Sequence, residues 1–324
     1  MRVALAGSPP FAVPILRDLL RSRHALVALV TPPDRPRGRG RHVEASPLLE
    51  MAETRGVPVL QTEDANDPAV LARLASFAPD VLVVASFGQL LREPLLALAP
   101  HGALNVHASL LPRHRGASPA AHAILAGDAE TGVSIQRMVR KLDAGPVCAA
   151  TRTPIGAHET AGELTSRLAE LGATTLLAAL DDVDAGRAVF EPQDESRATR
   201  APKLRKEDGR VDWKRSAADL ERFVRAMNPW PGAWTAFSPS RGGAAPAPIR
   251  LRILDARAEE KESRSSESVV GTILDPQPAR ELAATTGQGV LILQRVQLEG
   301  GRAMSAAEFI RGHAPAPGTF FPPS

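Results

Sequence analysis

The chain has 324 residues, 44% of them hydrophobic and 23% charged, an ordinary globular composition long enough for one large domain or two. Its formal charge of +3 marks no partner by itself, so where the charges cluster matters more than their sum. The lone Cys148 excludes an internal disulfide and fits a reducing cytoplasm, and no apolar run approaches the roughly 18 residues of a membrane helix.

Strand and helix signals alternate through the first half. Arg2–Gly7 reads as a short buried strand, since its apolar run is too short for a signal peptide. Phe11–Arg21 has helical spacing and Ala25–Thr31 is a second strand. Ser46–Arg55 reads as a helix, with Ser46 as N-cap and Pro47 in the first turn. A strand at Val57–Gln61 and a helix at Pro68–Phe77 follow. Asp80–Gly88 is the most apolar strand of the chain, and Gly102–Ser109 (GALNVHAS) is the next. Ser118 and Pro119 open a helix that runs to Gly127, strands follow at Thr131–Met138 and Gly145–Ile155, and Glu159–Asp184 is a long helix ended by Gly186. This alternation predicts an α/β fold, a doubly wound, mainly parallel Rossmann-like sheet.

The character changes after Phe190. Residues 191–210 are polar and aperiodic and read as a linker, which sets a first domain at 1–190 and a second at 211–324. A helix at Ser216–Met227 precedes the breaker NPWPGAW. Short strand-like runs at Pro248–Leu254, Ser268–Leu274 and Gly289–Leu298 then predict a smaller C-terminal β-barrel of OB-like kind. The three tryptophans, Trp213, Trp230 and Trp234, read as packing for that domain.

Asn105 and His107 stand two apart at the end of a strand and so share one face. An amide donates hydrogen bonds, and an imidazole both donates them and moves protons near neutral pH. Together they suit a carbonyl carbon turning tetrahedral while its oxygen gains charge. The histidine needs an orienting carboxylate, and Asp143 in KLDAGPV offers one from a turn between two strands. Alone, such an Asn-x-His pair is a weak signal, because a buried, satisfied histidine is the commoner case.

The run NVHASLLPRHRGASP with LDAGP downstream resembles the active-site signature of the folate-dependent formyltransferases. The resemblance implies that Asn105, His107 and Asp143 are catalytic, that the donor is 10-formyltetrahydrofolate, and that Ser109, Leu110, Leu111 and Pro112 contact it. Residues Thr31–Leu48, Arg210–Trp234 and Gly300–Phe309 are similar to segments of those members that formylate methionyl-tRNA, so the implied acceptor is charged initiator tRNA. His114 stands where many of those members carry Trp, and Pro10 and Pro146 replace acidic residues common there; none removes one of the three groups.

Two basic tracts fit the phosphates of such a partner. Arg35, Arg37, Arg39 and Arg41 alternate with Pro and Gly, and the polar stretch carries Lys203, Arg205 and Lys206 among other cations. Arg113 and Arg115 either meet the anionic tail of folate or stay solvated. The histidines show no HExxH or Cys–His spacing, so no metal is expected, and nothing demands a partner protein or more than a monomer. A Ser109–His107–Asp143 hydrolase lacks a G-x-S-x-G elbow, and a dinucleotide-dependent dehydrogenase lacks G-x-G-x-x-G after the first strand. A formyltransferase for a small nucleotide or sugar amine, and a non-catalytic RNA-binding protein, are the remaining alternatives.

Overall fold

The computed structural model describes residues 1–34, 46–238, 248–260, 269–275, 281–313, 315 and 321. The chain folds as two compact units, one of Met1–Ala123, Ala129–Ile155 and Glu163–Lys203, the other of Ile124–Asp128, Gly156–Gly162 and Leu204–Ser324.

The first unit is built on strands β1 (Arg2–Gly7), β2 (Ala25–Thr31), β3 (Val59–Gln61), β4 (Val81–Ala85), β5 (Ala103–His107), β6 (Glu130–Arg137) and β7 (Val147–Pro154). Between and after them run helices α1 (Ala12–Leu19), α2 (Pro47–Glu53), α3 (Pro68–Ser76), α4 (Glu93–Leu96), α5 (Pro119–Ala126) and α6 (Ala161–Asp184). The sheet order is β3-β2-β1-β4-β5-β6-β7, with β1 to β5 parallel and β6 and β7 antiparallel. The chain winds outward from β1 through β2 to β3, then crosses to β4 and β5 on the other side. Doubly wound sheets bind ligands beyond the carboxyl ends of the strands at such a reversal.

Local chemistry explains the elements. Ser46 caps α2 by accepting from the Leu48 N–H at 3.3 Å, with Pro47 in the first turn, and Asp67 caps α3 through the Ala69 N–H at 2.8 Å. The central strands β1 and β4 are apolar on both faces because helices cover both. Ala4, Ala6, Val30, Leu82 and Val84 pack with Leu74 and Leu95 on one face. On the other, α6 approaches so closely at Gly172 that a Cβ there would come within 2.8 Å of Val106 Cγ1. Val106 therefore faces α6, and its neighbours Asn105 and His107 face the opposite side.

The second unit holds α7 (Ala217–Ala226), β8 (Ala233–Phe237), β9 (Ile249–Glu259), β10 (Leu282–Thr285), β11 (Val290–Leu298), β12 (Ala303–Ser305) and α8 (Ala306–His313). Its smaller antiparallel sheet runs β10-β11-β9-β8, with β12 added to β11, and curls into a half-barrel. The core is aromatic: Trp213 stacks on Phe321 at 5.1 Å, and Phe237 meets Phe309 edge-on at 5.1 Å.

Two expectations for this half need correcting. Of the strand expected at Ser268–Leu274, the described residues form only an isolated bridge, Ile273 to Ala284. Among the tryptophans, Trp213 is buried as expected, but Trp230 is 61% exposed, and the ring of Trp234 is covered by the Arg250 guanidinium at 4.0 Å. Among the described residues, no helix is long and apolar enough to cross a membrane.

Candidate active site

Asn105 and His107 lie on β5, one strand beyond the β1–β4 reversal, Asn105 opposite Gln136 and His107 opposite Ser134 on antiparallel β6. Asn105 is half-buried, and its side-chain amide makes no hydrogen bond among the described residues. His107 is 5% exposed. Its Nε2–H donates to the His114 carbonyl at 3.0 Å. A carbonyl oxygen only accepts, so that nitrogen carries the proton in this contact. Nδ1 is left facing Asp143 Oδ2 at 3.8 Å.

Asp143 sits in the loop between β6 and β7 with φ of +48°, a left-handed conformation that Asp tolerates better than most residues. Gly145 makes the turn possible, because a Cβ there would fall 1.7 Å from the Arg137 carbonyl oxygen. Oδ2 of Asp143 accepts the Gly116 N–H at 2.8 Å, and Oδ1 accepts from Gln136 Nε2 at 3.0 Å. Asn105, His107 and Asp143 thus come from two segments of the chain to one place.

Ser109, which the resemblance placed against folate, is fully buried, and its hydroxyl donates to the Arg113 carbonyl at 2.6 Å. It fixes the turn and forms no nucleophilic triad with His107. Leu110, Leu111 and Pro112 are half-buried. Arg113 is exposed, but Arg115 is neither solvated nor open to a ligand. It is buried, donating to Gln193 and, through two nitrogens, to Glu195. Arg115 on both carboxylate oxygens, with Lys141 sharing Oε2, holds the Glu195 carboxyl down at about 2. Burial pushes the Cys148 thiol up to about 11, which leaves no thiolate for nucleophilic work. Among the described residues, no group of three or more His, Cys, Asp or Glu side chains could hold a metal.

Lys203, Arg205 and Lys206 are exposed, and their side chains make no ion pair among the described residues. Arg35, Arg37, Arg39 and Arg41 lie outside the described residues.

Two glutamines escaped the sequence reading. Gln136 is 1% exposed near the end of β6, and an amide directly after the apolar Ile135 was its only signal. Gln193 lies in the polar stretch that reads as linker, where nothing marks it. That stretch is tied to the first unit: Glu191 and Val147 exchange backbone hydrogen bonds, Thr199 holds the His114 N–H through its hydroxyl at 2.8 Å, and Ala201 pairs with Arg115.

Residues 1–180 match the formyl transferase family and residues 203–314 its C-terminal domain. The chain belongs to the formyl transferase family. Among curated relatives of this formyl transferase, a methionyl-tRNA formyltransferase of Roseiflexus castenholzii is 45% identical over 96% of each chain. One of Thiobacillus denitrificans is 43% identical over 98% of this chain and 99% of its own. Among solved structures, an N-formyltransferase of Helicobacter canadensis, in complex with folinic acid and dTDP-3-aminofucose, shares the fold with a TM-score of 0.63 at 15% identity, covering 90% of this chain and 98% of its own.

Proposed function

We propose that this formyl transferase moves the formyl group of 10-formyltetrahydrofolate to the α-amino group of methionine on charged initiator tRNA, for translation initiation. The observation that carries the reading is the convergence of Asn105, His107 and Asp143 at the end of β5. Relatives that formylate methionyl-tRNA, matched over nearly their full length, support the choice of acceptor.

The chemistry fits these groups. An α-amine has an ordinary pKa of roughly 7.7–8.0, so a neutral fraction is present at pH 7. Its nitrogen attacks the formyl carbon, a C–N bond forms, and the carbonyl oxygen becomes an oxyanion. The unengaged amide of Asn105 donates to that oxygen. When the tetrahedral centre collapses, the bond to N10 of folate breaks and N10 takes up a proton, while the amine gives one up. His107 carries that traffic at Nδ1, because Nε2 is engaged with His114. Asp143 lies across the gap to hold the imidazolium or a bridging water.

Leu110, Leu111 and Pro112 supply the apolar contact to folate. Lys203, Arg205 and Lys206, with Arg35, Arg37, Arg39 and Arg41, meet the phosphates of tRNA. The chemistry needs no metal and no second subunit, and its tRNA substrate sets it in the cytoplasm. The test incubates the purified protein with 10-formyltetrahydrofolate and, in parallel, charged initiator tRNA, glycinamide ribonucleotide and a nucleotide-linked amino sugar. Formyl-methionyl-tRNA is the expected product; transfer to a small amine alone overturns the reading.

A further inference from the structure

We propose that Arg115, Gln193 and Gln136 form a directed hydrogen-bond relay that fixes which end of an amide Asp143 meets, making both glutamines positioning residues for that carboxylate. The inference rests on the reading that Asp143 serves formyl transfer.

The direction follows from donor inventory. Gln193 Oε1 lies 3.1 Å from Arg115 Nε and 2.7 Å from Nη2. A guanidinium only donates, so this end of Gln193 must be the oxygen. Its NH2 then points the other way, to the Asp143 carbonyl at 2.9 Å, the Gly145 carbonyl at 2.6 Å and Gln136 Oε1 at 3.3 Å. All three are acceptors, so a reversed amide would set oxygen against oxygen throughout. With its oxygen turned to Gln193, Gln136 has only its NH2 to offer Asp143 Oδ1, at 3.0 Å.

The polarity of Arg115 is thus passed through two amides to a carboxylate it never touches. Oδ1 is occupied, and Oδ2, held by the Gly116 N–H, is turned to His107. Arg115 is 8% exposed and Gln136 is 1% exposed, so water cannot replace a lost partner. The same NH2 of Gln193 clamps the backbone of Asp143 and Gly145, the turn whose φ is +48° at Asp143. Reversing the relay would place Gln136 Oε1 against Asp143 Oδ1 and push the carboxylate off its line to His107.

The decisive variant is Gln193→Glu, which keeps the shape and the contact with Arg115 but has no N–H for Asp143, Gly145 or Gln136. The kcat for charged tRNA should fall roughly 10- to 100-fold, the scale of a small misplacement of a reacting group, with KM for folate and tRNA changed less than about twofold. In a D143N background the same substitution should cost less than about threefold more, because the two residues act as one unit. An undiminished loss in D143N, or parental kcat in Q193E while D143N is impaired, overturns the relay. Parental kcat in D143N overturns instead the reading of the site on which the relay rests. Melting curves report folding; should Q193E not fold, Arg115→Met, which removes the donor that orients Gln193, should lower kcat, and Arg115→Lys, a donor-only head without the fork, should retain more of it; parental kcat in R115M overturns the relay.

Discussion

His107 Nδ1 and Asp143 Oδ2 face each other across 3.8 Å, while the other imidazole nitrogen is spent on the His114 carbonyl. That separation exceeds a direct hydrogen bond and leaves room for a third group to bridge them. A closed pair would rigidify the site. An open one keeps the basic nitrogen of the ring and a carboxylate aimed at a shared point, where a proton can be passed to or from a substrate.

Asn105 is the one polar side chain of β5 with no internal hydrogen-bond partner among the described residues. Removing its amide should therefore cost the transition state rather than the fold. Asn105→Ala is expected to lower kcat by roughly 10²–10³, as loss of an oxyanion donor does. His107→Ala should lose as much through proton transfer. Steady-state kinetics with saturating folate and tRNA, beside melting curves for both variants, measure this. Near-parental turnover in both would remove the mechanism.

Gly116 ties the fold to the site. Its N–H holds Asp143 Oδ2 at 2.8 Å, its φ is +130°, and a Cβ there would stand 2.3 Å from the Ala201 carbonyl oxygen. Gly116→Ala should thus cost stability, at least roughly 1–3 kcal/mol for the backbone strain. It should also depress kcat, because the N–H cannot stay on Asp143 while the backbone moves away from Ala201. Chemical denaturation and kcat on the same preparation test both halves; a variant with parental stability contradicts the close approach.

Much of the first unit was legible because its elements are periodic and capped. Ser46 and Pro47 marked α2, and alternation put Asn105 and His107 on one face. The second unit was less legible. Its β10 is only four residues long and β12 three, too short for a period to register, and the β-branched run at Val269–Leu274 reads as a strand although its described residues form only the isolated bridge at Ile273. The site was half legible. The groups proposed for the chemistry carry a recognisable spacing, but Gln136 and Gln193 meet Asp143 through contacts across 7 and 50 residues that no local pattern records. Arg115 misled for a related reason. In sequence it is one more cation in a basic loop, and only the fold brings Gln193 and Glu195 around it.

Glu195 gives a pH dependence with a definite sign. Its carboxyl is held at about 2 by Arg115 first and Lys141 second. A depressed folded-state value stabilises the fold above the ordinary glutamate range, roughly pH 4.3, and the contribution is lost as pH falls toward about 2. Glu195→Gln should therefore melt below the parent at neutral pH, with the gap closing as the solution is acidified below that range. The gap is small, since the carboxylate is solvated and its pairs are screened. A difference in Tm that stays constant down to acid pH contradicts the ion-pair account.

The basic stretch makes a different claim, about binding rather than chemistry. The backbone at Lys206 is fixed, because its carbonyl accepts the Trp234 indole N–H at 3.3 Å, while its side chain is exposed without an ion pair among the described residues. Lys206→Ala should leave stability and kcat alone. It should raise KM for charged tRNA, leave KM for folate unmoved, and lower the salt slope of tRNA binding by about one, as the loss of one phosphate contact does. Arg39→Ala should behave the same way. Arg187→Ala is the matched control, an exposed arginine already paired with Asp182 at 2.8 Å, and should change neither KM nor slope. Equal effects on the folate and tRNA constants, or a slope that shifts as much in the Arg187 variant, would mean that these lysines and arginines add only to the general field of the protein and contact no phosphate.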